Sequence, residues 1–262
     1  MRAFFMGLLV FGLWLNGPTK AIHADAEEGW QEYRTQHFFI YYKGAPERFV
    51  ERVAEESERY YNDITDNLGF TRYQSWSYDH RAKIYIYDSQ EDYGAAMQRY
   101  RWTHGVANTQ TKTIRTFPTA HGFFDSTLPH ELGHIIFREH VGFDYSIPVW
   151  FDEGIAMFQE SAQRWGSGDE VRTAIDNGTF IPLSQLTYTK LTNSTPQETI
   201  ELYYAEAASV VYFLIVEEGQ QRFERFCQHL SKGDKFVDAL SRVYRFENVD
   251  ELNRAWVNYL EK

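Results

Sequence analysis

The feature that most restricts how this chain folds is a pair of short motifs held at a fixed interval. Residues 130–134 read His-Glu-Leu-Gly-His, and eighteen residues separate His134 from Glu153. On an α-helix, His130 and His134 lie one turn apart on the same face, where two neutral imidazoles are able to bind one Zn²⁺. Glu153 is the predicted third ligand, which leaves the fourth position open, as in catalytic zinc sites. The fold must therefore bring the segment around Glu153 back onto the helix of the two histidines.

Each motif is predicted to lie on a helix of its own. Pro129 suits the first turn of one helix, with Ser126 or Thr127 as the candidate N-cap. Pro148 begins a second helix in the same way, which is predicted to run to about Trp165 and to end at the Gly-Ser-Gly sequence that follows. Two of the metal ligands are thus expected on one helix and the third early on the next.

Two acidic residues next to the predicted ligands have predicted roles in catalysis and in orienting a ligand. Zinc with three protein ligands lowers the pKa of its bound water toward neutrality and polarises a substrate carbonyl. Glu131 is the predicted general base, which takes a proton from this water and delivers it to the leaving amine. Asp152 is a candidate to orient a zinc-bound histidine, and placement on the surface is the alternative.

The residues around both motifs resemble a known family of enzymes. Residues 128–134 and 148–156 are similar to the gluzincin metallopeptidases of clan MA, in particular to bacterial peptidase-MA-like proteins. The related M1-family aminopeptidases share His-Glu-x-x-His, eighteen residues and then Glu, and Pro-x-Trp-x-x-Glu-Gly-x-Ala is the usual setting of the third ligand. The motifs cover about residues 128–157, and a weaker likeness extends over most of the chain. The resemblance implies a zinc metallopeptidase that hydrolyses peptide or protein substrates.

The resemblance also implies a tyrosine that stabilises the negative oxygen of the tetrahedral intermediate. Related gluzincins carry this residue downstream of the third ligand, and in peptidase-MA-like chains it stands in a Tyr-Ala-x-small context, which matches Tyr204. The segment 203–214 begins a predicted helix that carries small residues near its start, which allow close approach to another helix or to a substrate. Tyr203 is the alternative by one position. The interpretation of both as packed aromatic residues stays open in a chain with 18 Tyr.

The segment from Gly105 to Phe117 is rich in Thr and Val and is predicted to be an edge strand. An edge strand beside a zinc cleft is able to bind an extended peptide through main-chain hydrogen bonds. The exopeptidase motif of the M1-family relatives is absent here. An endopeptidase, or a peptidase of unknown positional preference, is therefore the favoured interpretation, and a purely structural strand is the alternative.

The order of the elements predicts an α+β, zincin-like fold. Strands are predicted at 30–42 and 83–87, with a helix over 46–68 between them; helices are predicted near 90–100, 199–217, 220–231, 234–243 and 249–260. Residues 27–262 are expected to form one catalytic domain. A small mixed-sheet lobe, 27–122, precedes a mainly helical lobe, 123–262, with the zinc site in the cleft between them.

The N-terminus reads as a secretion signal over residues 1–26. Arg2 precedes an apolar run from Ala3 to Leu15, and small residues follow at 24–26; an uncleaved anchor is the alternative. No second long apolar run is predicted, so no stable membrane span is expected after cleavage. A secreted, periplasmic or cell-envelope protein is expected. Cys227 is the single cysteine, which excludes an internal disulfide.

The formal net charge of −11 argues against nucleic acid as a partner. It leaves two alternatives to a peptidase open. One is a catalytically inactive envelope binding module that keeps the gluzincin fold and a structural metal. The other is a zinc hydrolase that acts on a non-peptide amide of the cell wall.

Overall fold

The computed structural model describes residues 29–70, 76–97, 105–118, 122–143, 147–160, 163–192 and 194–262. The predicted secretion signal of residues 1–26 lies outside these ranges, so its presence stays a prediction. A mixed sheet in the N-terminal part precedes a mainly helical part, as the order of the sequence patterns predicts.

Five short strands form the sheet in the order β1-β2-β3-β5-β4. They are β1 Gln31–Arg34, β2 Phe38–Tyr42, β3 Ala82–Ile86, β4 Gly105–Asn108 and β5 Thr113–Thr116. The three central strands run parallel, and β1 and β4 pair antiparallel at the two edges. The prediction of one strand over 105–117 is wrong, because residues 109–112 turn the chain back and β4 pairs with β5. The predicted edge position is confirmed for β4.

Helix α1, Glu47–Leu68, packs against β1 and β2 and against the helix of the two histidines. Its apolar side chains recur at helical spacing and are buried, among them Val50, Val53 and Ile64. Gly69 ends the helix in the left-handed conformation, at φ 71°. The predicted helix over 46–68 is confirmed, and it joins the sheet to the helical part.

The helical part begins with the two helices that carry the motifs, α3 Leu128–Val141 and α4 Val149–Gln159. In the described residues it continues with α5 Gln163–Asp176, α6 Leu183–Leu186, α7 Gln197–Tyr212, α8 Gln220–Ser231, α9 Phe236–Tyr244 and α10 Val249–Leu260, whereas α2 Gln90–Met97 lies between β3 and β4. Helices α8, α9 and α10 lie within two residues of their predicted positions. Helix α7 begins two residues before the predicted range of 199–217 and ends five residues before its end, and a wide turn over 213–217 completes that range. Gly219 and Gly233 separate α7, α8 and α9, which is why their limits were predictable.

Two predictions about the motif helices are wrong. Neither Ser126 nor Thr127 caps α3 with its side chain, because residues 123–127 already form a wide helical turn that leads into α3. Helix α4 ends at Gln159, not near Trp165, since Glu160 adopts an extended conformation. The Gly-Ser-Gly sequence that was expected to end α4 lies inside α5. Packing of α5 against α7 outweighs the low helix propensity of glycine there.

Helix α7 is the central helix of this part and packs against α4 and α5. A wide turn over 213–217 extends it, and the stretch Gln197–Glu217 is long and apolar enough by composition to cross a membrane. The expectation that no second long apolar run follows the N-terminus is therefore wrong. Of the most apolar stretch of 18 residues in Gln197–Glu217, 61% is buried inside the protein, so packing in the core accounts for the high hydropathy of this helix. Cys227 on α8 is also fully buried.

Candidate metal centre and catalytic cleft

Helices α3 and α4 bring together His130, His134 and Glu153, which we call the triad. The Nε2 atoms of the two histidines are 3.2 Å apart, and Oε2 of Glu153 lies 3.6 Å from the first and 3.7 Å from the second. A single point between the three ligand atoms lies about 2.0 Å from each of them, and this distance matches Zn–N and Zn–O bond lengths. The arrangement is consistent with a zincin site, and its donors are the nitrogen and oxygen ligands that zinc takes.

The triad closes because α3 and α4 approach at short range. A Cβ added at Gly133 of α3 would lie 3.1 Å from Cα of Ala156 in α4. A larger residue at position 133 would therefore push the helices apart. Glu153 lies one turn before Ala156, so the absence of a side chain at Gly133 allows the Glu153 carboxylate to reach both imidazoles.

The second histidine of the triad is oriented by a carboxylate, as the sequence suggested. Asp152 Oδ1 lies 3.2 Å from Nδ1 of His134, and Asp152 Oδ2 accepts a hydrogen bond of 2.9 Å from Nε of Arg138. Burial alone would raise the pKa of Asp152. The hydrogen bond to His134 and the charge of Arg138 have the larger opposite effect, so the pKa of Asp152 lies below its ordinary value. An ionised Asp152 holds the ring with Nε2 directed at the other triad atoms.

The first histidine has a partner that the sequence analysis missed. Glu160 Oε1 lies 2.7 Å from Nδ1 of His130, and Ser126 donates a hydrogen bond of 2.6 Å to Glu160 Oε2. Glu160 follows Glu153 by seven residues, which is about two helical turns on one face, and this spacing is the signal that could have identified it. Each triad histidine therefore has its own carboxylate.

The electrostatics of the triad favour positive charge at its centre. Burial opposes the charged form of His130, yet hydrogen bonds to Glu153 and Glu160 raise its pKa to about 10. Burial likewise raises the pKa of Glu153, but His130 and His134 bring it below its ordinary value. The carboxylates that stabilise protons on the two imidazole rings would equally stabilise a divalent cation that replaces those protons.

A family comparison agrees with this geometry. The protein-family model described as Peptidase MA superfamily matches residues 75–262, which is more than half of the chain. The chain belongs to the Peptidase MA superfamily. The matched region contains the triad, Glu131, Asp152 and Glu160. No curated protein sequence matches the chain.

A cleft of about 1050 Å³ opens beside the triad of this superfamily member. His130 and Tyr204 line it, and residues of α5 and α7 form its walls. Its described lining includes three glutamates, Glu170, Glu198 and Glu201, and no lysine or arginine. The cleft is large enough for a segment of several residues of peptide.

The two candidate tyrosines on α7 have different surroundings. Tyr203 is only 2% exposed and packs in the core, whereas Tyr204 lines the cleft. Burial, followed by the charges of Glu153 and Glu160, raises the pKa of Tyr204 to about 12, so its hydroxyl keeps its proton at neutral pH. The half-buried Glu131 also acts on the pKa of both Tyr204 and His130 through its charge. The structure thus brings Glu131, Tyr204 and the triad to one place.

Replacement of Glu160 by Gln is expected to weaken zinc affinity about 10- to 100-fold, because the amide is a poorer acceptor from the imidazole that it orients. Zinc affinity would be measured by competition with a chromophoric chelator. Glu58→Gln is the matched control, since Glu58 Oε2 lies 2.6 Å from Nδ1 of His37, outside the site. Equal zinc affinity in the Glu160 variant and the wild type would show that Glu160 has no such role.

Proposed function

We propose that this member of the Peptidase MA superfamily is a zinc-dependent peptidase that hydrolyses peptide bonds, with the triad as its metal ligands. The observation that carries the proposal is the convergence of the triad's ligand atoms within 4.8 Å of one another, beside a cleft. The donor set leaves an open coordination position, which suits catalysis better than a structural role.

When bound, zinc would act as a Lewis acid that activates water and polarises the scissile carbonyl. In this proposal Glu131 accepts a proton from the attacking water and transfers it to the nitrogen of the leaving amine. Its position next to His130 on α3, within electrostatic reach of Tyr204, supports this role. Asp152 and Glu160 keep the two imidazoles oriented through both steps.

Tyr204 is the proposed donor to the negative oxygen that develops when water attacks the carbonyl. A phenol with a pKa of about 12 holds its proton at neutral pH and is able to donate it in a hydrogen bond. The shared lining of the cleft by Tyr204 and His130 supports this assignment over Tyr203.

Strand β4 is the proposed binding edge for an extended substrate. It lies at the edge of the sheet and contacts α3, the helix that carries Glu131. Main-chain pairing with β4 would hold a peptide without requiring a free terminus, which favours an endopeptidase. We also propose that the protein acts in the cell envelope or outside the cell, as the signal-like N-terminus suggests.

The proposed activity is tested by incubating the zinc-loaded protein with casein and following the release of soluble peptides. Cleavage is expected to stop on addition of a zinc chelator and to resume when zinc is restored. Absence of cleavage across unstructured substrates by protein that contains zinc would favour the inactive binding module. Release of fragments from peptidoglycan but not from casein would favour a hydrolase of cell-wall amides.

Tyr204→Phe is expected to lower kcat for casein by about 10²- to 10³-fold with little change in KM, because the hydroxyl acts mainly on the charged intermediate. Steady-state kinetics on the zinc-loaded variant would measure both constants. Tyr203→Phe is the matched control and should retain wild-type kcat. A loss of kcat in the Tyr203 variant alone would contradict the assignment of Tyr204.

A further inference from the structure

A second concave surface, remote in sequence from the triad, collects positive charge. We call it the basic pocket; it measures about 410 Å³ and is lined by Arg222, Arg225, Gln228, His229, Lys232, Arg242, Val243 and Arg245. Five of these residues carry permanent positive charge, in a chain whose formal net charge is −11. None of them lines the catalytic cleft.

The basic pocket forms where α8 meets the C-terminal end of α9. Residues 222, 225, 229 and 232 are spaced by three or four positions, so they share one face of α8 and its C-terminal end. The opposite face of α8 is buried through residues such as Phe223 and Phe226. Packing of α8 against α9 then adds Arg242 and Arg245 from the end of α9.

Nearby acids neutralise only part of this charge. Glu218 pairs with Arg222, and Asp234 Oδ2 lies 3.3 Å from Arg242 and 2.8 Å from His229. Within the described residues, no ion pair joins Arg225, Lys232 or Arg245 to an acid; Arg225 contacts the carbonyl oxygen of Gln221 at 3.4 Å. Three positive charges therefore face the same concavity without a compensating carboxylate.

Arg245 occupies a backbone conformation that is unusual for its residue type. It ends α9 at φ 68° and ψ 23°, in the left-handed region that glycine adopts without steric cost. An arginine at this position extends the positive surface of the pocket at some cost to the stability of the helix end. Functional sites often retain such strained residues.

We propose that the basic pocket binds phosphate groups. Four of its five permanent cations are arginines, whose planar guanidinium groups donate paired hydrogen bonds to phosphate oxygens. A concavity of about 410 Å³ accommodates a phosphate ester, and a bound anion would relieve the repulsion among the three uncompensated charges. The ligand is either a soluble phosphate compound or the headgroup of an anionic phospholipid, and the proposal is independent of peptidase activity.

The zinc-loaded full chain would be titrated with inorganic phosphate by calorimetry and, separately, with vesicles of phosphatidylcholine with or without phosphatidylglycerol. Arg225→Glu/Arg245→Glu should weaken binding at least about tenfold, since two charged donors are lost. Arg48→Glu/Lys262→Glu changes the net charge equally at exposed sites outside the pocket and should bind as the wild type does. Rising salt concentration should weaken the wild-type interaction.

Binding of inorganic phosphate that is lost in the Arg225/Arg245 variant would identify a soluble ligand, and binding only to phosphatidylglycerol vesicles, lost in the same variant, would identify a membrane headgroup; both outcomes support the proposal. Phosphate binding that the variant retains would place the anion elsewhere, such as at the zinc, and would overturn the proposal. Failure of the wild type to bind either probe, or an equal loss in the control variant, would overturn it. Unchanged casein turnover and unfolding midpoint in the pocket variant would show that its fold is intact.

Arg245→Gly separates binding from stability. Glycine relieves the left-handed backbone, so the unfolding midpoint is expected to be no lower than that of the wild type. Phosphate or vesicle binding should nevertheless weaken. If Arg245→Gly binds as tightly as the wild type does, Arg245 is not part of the binding site.

Discussion

Glu131→Gln is expected to lower kcat/KM for casein by about 10²- to 10⁴-fold while zinc content stays at the wild-type level. Glutamine has nearly the same shape as glutamate but accepts no proton from water at neutral pH. The triad ligands are His130, His134 and Glu153, so the substitution leaves the proposed metal coordination complete. A large loss of activity without a loss of metal is the combination that identifies a general base.

The measurement pairs casein hydrolysis with metal analysis of the same dialysed sample. Glu170→Gln is the matched control, because Glu170 lines the same cleft from α5 but belongs to neither the triad nor its supporting residues. The control should keep kcat within about threefold of wild type. Undiminished turnover in the Glu131 variant would exclude it as the base, and loss of zinc would indicate a structural role instead.

Gly154→Val is expected to destabilise the protein by about 3 kcal/mol. Gly154 lies next to the third triad residue, on the face of α4 that meets α7. A Cβ at this position would lie 2.3 Å from the carbonyl oxygen of Ala207 and 2.7 Å from Cγ2 of Val211. Because the nearest atom belongs to the backbone of a buried helix, no side-chain rotation relieves the clash and the helices must separate.

Thermal or denaturant unfolding would measure this loss. Gly94→Ala is the matched control, since Gly94 lies in α2 and a Cβ there meets nothing within 4 Å. That change should stabilise the protein by up to about 1 kcal/mol, because alanine has the higher helix propensity. Displacement of α4 should also weaken zinc binding in the Gly154 variant through Glu153. Equal stability of the Gly154 variant and the wild type would mean that α4 and α7 are not in such close contact.

Elements with strong periodicity were predictable, and elements that depend on packing were not. The apolar pattern of α1 ends at Gly69, and those of α8 and α9 are separated by Gly233, so local signals set their limits. The predicted end of α4 near Trp165 is wrong because glycine normally interrupts a helix, yet the glycines at 166 and 168 lie within α5, which packs on α7. The sequence predicts one strand in place of the β4–β5 hairpin because the turn at 109–112 contains no Gly or Pro.

The sequence by itself determined the family and the arrangement of His130, Glu131 and His134, because helical periodicity converts their spacing directly into relative positions on one helix. The approach of Glu153 to both imidazoles depends on the packing of α3 against α4. Only the tertiary structure distinguished the surroundings of Tyr204 from those of Tyr203, and only it joined Glu160 to His130. The basic pocket likewise exists only where two helix ends meet. These relations depend on contacts between separate elements, and the distance between two elements is set by how their side chains pack, which sequence spacing does not record.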